Sequence, residues 1–272
     1  MTEPDSTQEI TTVGSESPAN KMGSDPIYSA ARSTARVRAI AEIILCSSVP
    51  TQLALGALLR LGGMEPLDAA GQLSLPFVLV LSIGDTLLLI ALMVLLTRAH
   101  GESVSELWIG RPVPSEAQGR PLLREIGHGL LLVPVVFTLV VVLLNGLRAV
   151  APWLHNVQTN PLEQLASTPG QAVLFAVVAI FAGGVREELQ RAFLLRRFER
   201  HLGGALVGVV VLSVGFGLGH IVQGWDAVIT TGVLGAFWAA VYLRRRSSIA
   251  PIVSHSGFNS LEVLRVAIFG VS

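Results

Sequence analysis

Residues 73–97 read LSLPFVLVLSIGDTLLLIALMVLLT, a stretch whose single charge is Asp85. A helix needs about 20 mostly apolar residues to cross the hydrocarbon core of a bilayer. Strands usually run to only about 5–6 residues, so this stretch predicts a transmembrane helix. Outward from it, comparable apolar runs lie at about 39–61, 126–147, 171–198, 204–222, 225–243 and 248–271, which makes seven candidate spans. The first is the least regular, interrupted by Glu42, Pro50, Gln52 and Arg60. Lipid offers a bare backbone no hydrogen-bond partner, which leaves helices and closed barrels, and runs of this length are too long for barrel strands. The expected fold is all-α, a polytopic transmembrane helix bundle of about seven spans.

Arginine placement orients the bundle, because cytoplasmic connections collect basic residues. Lys21, Arg32, Arg36 and Arg38 precede the first span, and Arg98, Arg111, Arg120 and Arg124 follow the second. Arg196, Arg197 and Arg200 follow the fourth, and Arg244, Arg245 and Arg246 the sixth. Together these are 14 of the 19 basic residues, against only Arg60, Arg148 and Arg265 on the alternate side. The amino terminus is therefore expected in the cytoplasm and the carboxyl terminus outside. Residues 1–38, rich in Ser, Thr, Glu and Pro, cannot bury a core and predict a disordered cytoplasmic arm. Residues 39–272 form the transmembrane domain. No secretory signal is visible, and Gly101 to Gly119 is expected as a cytoplasmic loop along the interface.

Composition excludes other classes. The chain is 51% hydrophobic and 14% charged, with a mean hydropathy of +0.62. An ordinary soluble domain carries roughly 25% charged residues, so a cell-membrane, multi-pass protein is expected, with the lipid bilayer as its first partner. Net charge is +0, which leaves no basic excess for nucleic acid. The one cysteine, Cys46, rules out an internal disulfide framework and a cysteine-rich zinc module.

Ionisable residues at bilayer depth are expensive and point to function by default. The fourth run holds Arg186-Glu187-Glu188-Leu189-Gln190-Arg191, the fifth Phe216-Gly217-Leu218-Gly219-His220, and the seventh His255-Ser256-Gly257-Phe258-Asn259. Helical spacing pairs Glu187 with Arg191 at i, i+4 and turns Glu188 about 100° away. It also puts His255 and Asn259 on one face. Carboxylate, imidazole and amide together suit attack of water on a carbonyl: a base, a histidine to share the proton, and donors for the oxyanion. No Ser-His-Asp arrangement is visible. By helix rise, Glu187 lies about 15 Å, His255 about 10 Å and His220 about 24 Å from the cytoplasmic ends of their spans, so convergence demands tilt or a deeper start to the fifth helix.

The acidic pair with its arginine, Phe-x-x-x-His, and His-x-x-x-Asn, in that order on successive spans, resemble the CPBP intramembrane proteases, which include the CAAX prenyl endopeptidases and bacteriocin-processing or self-immunity relatives. The resemblance covers about residues 120–271. It implies an intramembrane endopeptidase acting on a membrane-associated protein or peptide. Glu187 and Glu188 would supply the carboxylate that activates water, with His220 sharing the task, and His255 and Asn259 would stabilise the oxyanion. Arg191 would support the acidic pair. The family has been described both as metal-independent glutamate proteases and as metalloproteases. In the second version His220, His255 and a glutamate would hold a divalent metal such as zinc, with one position open. Asn259, a poor zinc ligand and a good donor, favours the metal-free version.

One spacing departs from the family. Three residues usually separate the second glutamate from the arginine, and here only Leu189 and Gln190 do. Aligned on the glutamates, the arginine comes one residue early, which a local π-bulge would absorb. Aligned on Arg191, Glu187 takes the second glutamate's place and Arg186 the first. The rival reading is a catalytically silent immunity or assembly factor on the same scaffold, and a small transporter is a weaker third. Outside the motifs, Asp85 is expected as a buried acid bonded to a neighbouring helix, and Glu42 and His128 as groups reaching the interface.

Overall fold

The interrupted first run folds as two helices. In the computed structural model, which describes residues 26–110 and 122–270, α1 (Pro26–Leu45) and α2 (Val49–Leu61) meet at a bend of 41°. Ser48 sits at the break with φ +72°. Pro50, without an N–H to extend a helix backward, lies in the first turn of α2. The break frees the Cys46 carbonyl, which accepts from Gln190 Nε2 at 2.6 Å. α1 begins at Pro26, inside the stretch expected as a disordered arm; residues 26–38 are rich in alanine and arginine, both good helix formers. The rest of the arm, and residues 111–119 of the expected interfacial loop, lie outside the described residues.

α3 (Leu75–Ala99) realises the decisive apolar stretch, with Ser74 accepting from the Phe77 amide as N-cap and Pro76 in the first turn. The short α4 (Val104–Trp108), capped by Ser103, follows. α5 (Leu122–Val150) is the longest helix. A strap of two 3-10 turns then leads to α6 (Pro169–Val178), capped by Thr168. From Val178 the chain continues as a π-helical segment, Ala179–Arg186, and then as α7 (Glu187–His201). α8 (Ala205–Leu218), α9 (Trp225–Arg245) and α10 (Ile249–Phe269) complete the chain. Among the described residues, β-structure amounts to one isolated bridge, Leu67 to Leu73.

The fold is all-α, with apolar helices able to span a membrane. α3, α5 and α9 are each long and apolar enough, and α1 with α2 makes a fourth when taken as one bent span. The expected fifth span is shorter than its apolar run. α8 ends at Leu218, and its 14 residues reach about 21 Å against a hydrocarbon core of about 30 Å. The expected fourth span is composite, and α7 turns its charges inward: Glu188, Arg191 and Arg197 are all buried.

Glycine lets the site-bearing helices come close. A Cβ on Gly184 would lie 1.9 Å from Ser256 Oγ, so the π segment and α10 pack nearly backbone to backbone. At Gly129, a Cβ would lie 2.5 Å from Val253 Cβ, which seats α10 against α5 in the same way. Trp108 completes the frame: its indole N–H donates to the Leu189 carbonyl at 3.1 Å, and its own carbonyl accepts from the Ser248 amide at 2.8 Å. The start of α10 is thereby fixed to the body of α7.

Candidate active site

Glu188 is the buried half of the acidic pair. Its carboxylate is gripped by Arg191, Nε to Oε2 and Nη2 to Oε1, each at 3.1 Å. Such a two-pronged grip fixes direction as well as charge. Oε1 also meets His255 Nδ1 at 2.9 Å. A carboxylate only accepts, so Nδ1 carries the proton and Nε2 is the nitrogen left for other work. The imidazole is clamped from behind by Trp238, stacked at 3.8 Å between centroids and 14° between planes.

Glu187 points elsewhere. Its Oε1 accepts from Arg186 Nη2 at 3.0 Å, and its Oε2 stands 3.9 Å from His255 Nε2. Glu187 and His255 both line a cavity of about 720 Å³, and Glu188 lies behind its wall. The expected i, i+4 pair of Glu187 with Arg191 is therefore corrected to an i, i+3 pair of Glu188 with Arg191. Both spacings are reachable on a helix, and tertiary partners decide between them. Arg191 lies over the Phe216 ring at 4.8 Å, on the Glu188 side, while Arg186 is at hand for Glu187.

His220 follows the end of α8 and lines the same cavity. Its Nδ1 donates to the Phe216 carbonyl at 2.9 Å, and Nε2 is the nitrogen left for other work. The Phe216 ring touches both imidazoles edge-on, 4.9 Å from His220 and 6.1 Å from His255. The mismatch between Glu187 and His220 closes because α7 runs on to His201. Glu187 lies about 21 Å from that end, and α8 rises about 20 Å from Ala205 to Leu218, just before His220, while His255 lies only about 9 Å into α10. Asn259 lines the cavity one turn beyond His255, with one amide hydrogen on the Ala179 carbonyl at 3.0 Å. Glu187, His220, His255 and Asn259 thus share one cavity, and Glu188 and Arg191 stand behind them.

The metal-dependent arrangement, with His220, His255 and a glutamate as ligands, does not fit these positions. Among the described residues, no group of three or more His, Cys, Asp or Glu side chains is placed to hold a metal ion.

Three polar clusters lie outside the three motifs. Asp85, expected as a buried acid, is fully buried and accepts from Ser48, Thr51, Gln52 and Arg186. At the arginine-rich end, Arg197 is buried between Glu42 and Glu102, 2.6 Å from each, and His100 meets Glu42 at 2.6 Å. Glu42 is thus a core group and not an interfacial one. At the far end of the cavity, His155 on the strap pairs with Asp226 at 2.8 Å, beside Arg148. Only charges inside apolar runs could have flagged them, since their partners lie far away in sequence.

A family model described as Type II CAAX prenyl endopeptidase Rce1-like matches residues 168–261, from the cap of α6 into α10. The matched segment carries every residue of the candidate site and supports the CPBP resemblance. The similarity is to a family of prenyl endopeptidases, and it accompanies helices apolar enough to span a membrane. No curated protein and no solved structure matches the chain.

Proposed function

We propose that the chain is an intramembrane endopeptidase that hydrolyses a peptide bond of a membrane-associated substrate by direct attack of water. The observation that carries this reading is the 3.9 Å gap between Glu187 Oε2 and His255 Nε2 at the wall of a cavity of about 720 Å³. A water bound at Glu187 gives its proton to the carboxylate as its oxygen attacks the scissile carbonyl carbon. His220, through its free Nε2, shares that proton. The carbonyl oxygen becomes an oxyanion and takes hydrogen bonds from His255 Nε2, when protonated, and from the second amide hydrogen of Asn259. Glu188 balances the His255 cation in that state, and Arg191 keeps Glu188 in place. Collapse of the tetrahedral intermediate breaks the C–N bond, and the proton held at Glu187 passes to the departing amine. No covalent acyl-enzyme forms.

The cavity suits an extended peptide. Along α9, Trp238 and Asp226 both line it, and the twelve steps from one to the other correspond to about 18 Å, or about five residues of extended chain. Following the family's description, a prenylated carboxyl-terminal tail is the substrate to try first. The silent-scaffold reading drew on Arg186 taking a glutamate's place. Its guanidinium is engaged by Asp85, and Glu187 keeps a free oxygen at the cavity.

The test is cleavage of an internally quenched, prenylated peptide by the purified full-length protein in lipid nanodiscs. Glu187→Gln and His220→Ala are expected to lose about 10²–10⁴ in kcat, the usual worth of a positioned acid or base. Wild-type rates in both variants would overturn the proposal.

A further inference from the structure

We propose that Asp85 and Arg186 are positioning residues that together set the direction and the effective charge of the Glu187 carboxylate. This rests on the reading of Glu187 as the group that activates water, and it assigns a task to two buried charges outside the water-polarising set.

Arg186 is 7% exposed, and each of its three guanidinium nitrogens has a partner. Its Nε donates to the Ala182 carbonyl at 3.0 Å, one turn back in the π segment. Its Nη1 donates to Asp85 Oδ2 at 2.9 Å and to Ser48 Oγ, and its Nη2 to Glu187 Oε1 at 3.0 Å. Asp85 in turn takes Ser48 and Gln52 on Oδ2 and Thr51 on Oδ1, all from the turn and helix after the break. The planar guanidinium has no freedom left to rotate. It holds Glu187 by Oε1 alone and turns Oε2 toward His255.

The charge argument is separate from the orientation argument. A lone guanidinium against Glu187 would hold the carboxylate as a closed ion pair and blunt it as a base. Asp85, on the opposite side of the same guanidinium, shares the positive charge, so the three groups together keep one net negative charge. The other titratable groups around Glu187 are Glu188 on its own helix, His255 from α10 and His220 from the end of α8, the latter two lining the same cavity. The break between α1 and α2 contributes only the neutral Ser48, Thr51 and Gln52.

The experiment follows the Glu187 carboxylate by infrared difference spectroscopy of the full-length protein in nanodiscs during a pH titration. The band is identified by its loss in Glu187→Gln. Asp85→Asn leaves Arg186 unshared and is expected to move the titration midpoint of the band to lower pH by about one unit or more, within the range of an opposite charge in contact. Arg186→Gln is expected to move it upward, and Asp85→Asn/Arg186→Gln to bring it back near wild type. With the quenched prenylated peptide, Asp85→Asn lowers kcat and leaves KM unchanged. Should Asp85→Asn fail to fold, the contrast between Arg186→Gln and the double variant carries the test alone. A band that titrates alike in all folded variants overturns the proposal. Failure of the catalytic reading is a different result: Glu187→Gln would still cleave, whatever the band does.

Discussion

Glu188 Oε1 stands 2.9 Å from His255 Nδ1, and that contact joins α7 to α10 across the floor of the cavity. Its consequence is a division of labour between adjacent carboxylates. Glu188 is spent on structure, held by Arg191 and holding an imidazole, while Glu187 keeps an oxygen at the cavity. The two should therefore fail differently when neutralised.

Glu188→Gln is expected to destabilise the protein by about 3–5 kcal/mol, because it leaves the buried Arg191 without its counter-charge. Glu187, with a 20% exposed side chain, has no such burden, and Glu187→Gln is expected to keep nearly the wild-type melting temperature while losing cleavage. Thermal unfolding in detergent, followed by intrinsic fluorescence, separates the two outcomes.

Gly184→Ala places a methyl group where Ser256 Oγ sits. Overpacking of this kind costs about 1–3 kcal/mol, and it also moves α10, which carries His255. Lower melting temperature and lower kcat are expected together. Gly146→Ala, with nothing within 4 Å of its added Cβ, is the control, and removing a glycine from a helix interior should stabilise by up to about 1 kcal/mol.

Arg197→Met removes the cation shared by Glu42 and Glu102 at the end away from the cavity. Glu102 keeps Arg196 and Arg200 and Glu42 keeps only His100, so a loss at the lower end of about 3–5 kcal/mol is expected, with kcat unchanged at temperatures well below unfolding. Melting curves and initial rates on the same preparation decide it.

Exhaustive chelation followed by buffer exchange is expected to leave cleavage of the quenched peptide at its starting rate, because among the described residues no three His, Cys, Asp or Glu side chains are placed to hold a metal ion. A rate that falls on chelation and returns with zinc would contradict this.

The apolar run at 73–97 was enough to read an all-helical membrane protein, and three motifs were enough to name six residues that lie in or behind one cavity. What spacing could not settle was which glutamate the arginine would hold. A side chain on a helix reaches either three or four residues back, and the choice fell to Phe216, Arg186 and His255, which come from elsewhere in the chain or from the other side of the motif. Asp85 showed as an anomaly inside an apolar run, but its partners depend on the break at Ser48. Arg197 gave no such sign, since an arginine among arginines near the end of a helix reads as a topology anchor. The start of α1 at Pro26 was missed because a polar composition was allowed to outweigh good helix-forming residues.

The wide turns of Ala179–Arg186 make residue number, as well as residue type, a quantity this stretch must keep. An ordinary helix advances about 100° per residue. Dropping one position there and rewinding to the usual pitch would swivel the two small glycines away from α10 while α7 stayed anchored by its own ion pairs. Substitutions are easy there only away from Gly183, Gly184 and Arg186, but an insertion or deletion of a single amino acid anywhere on it acts like a turn of a key.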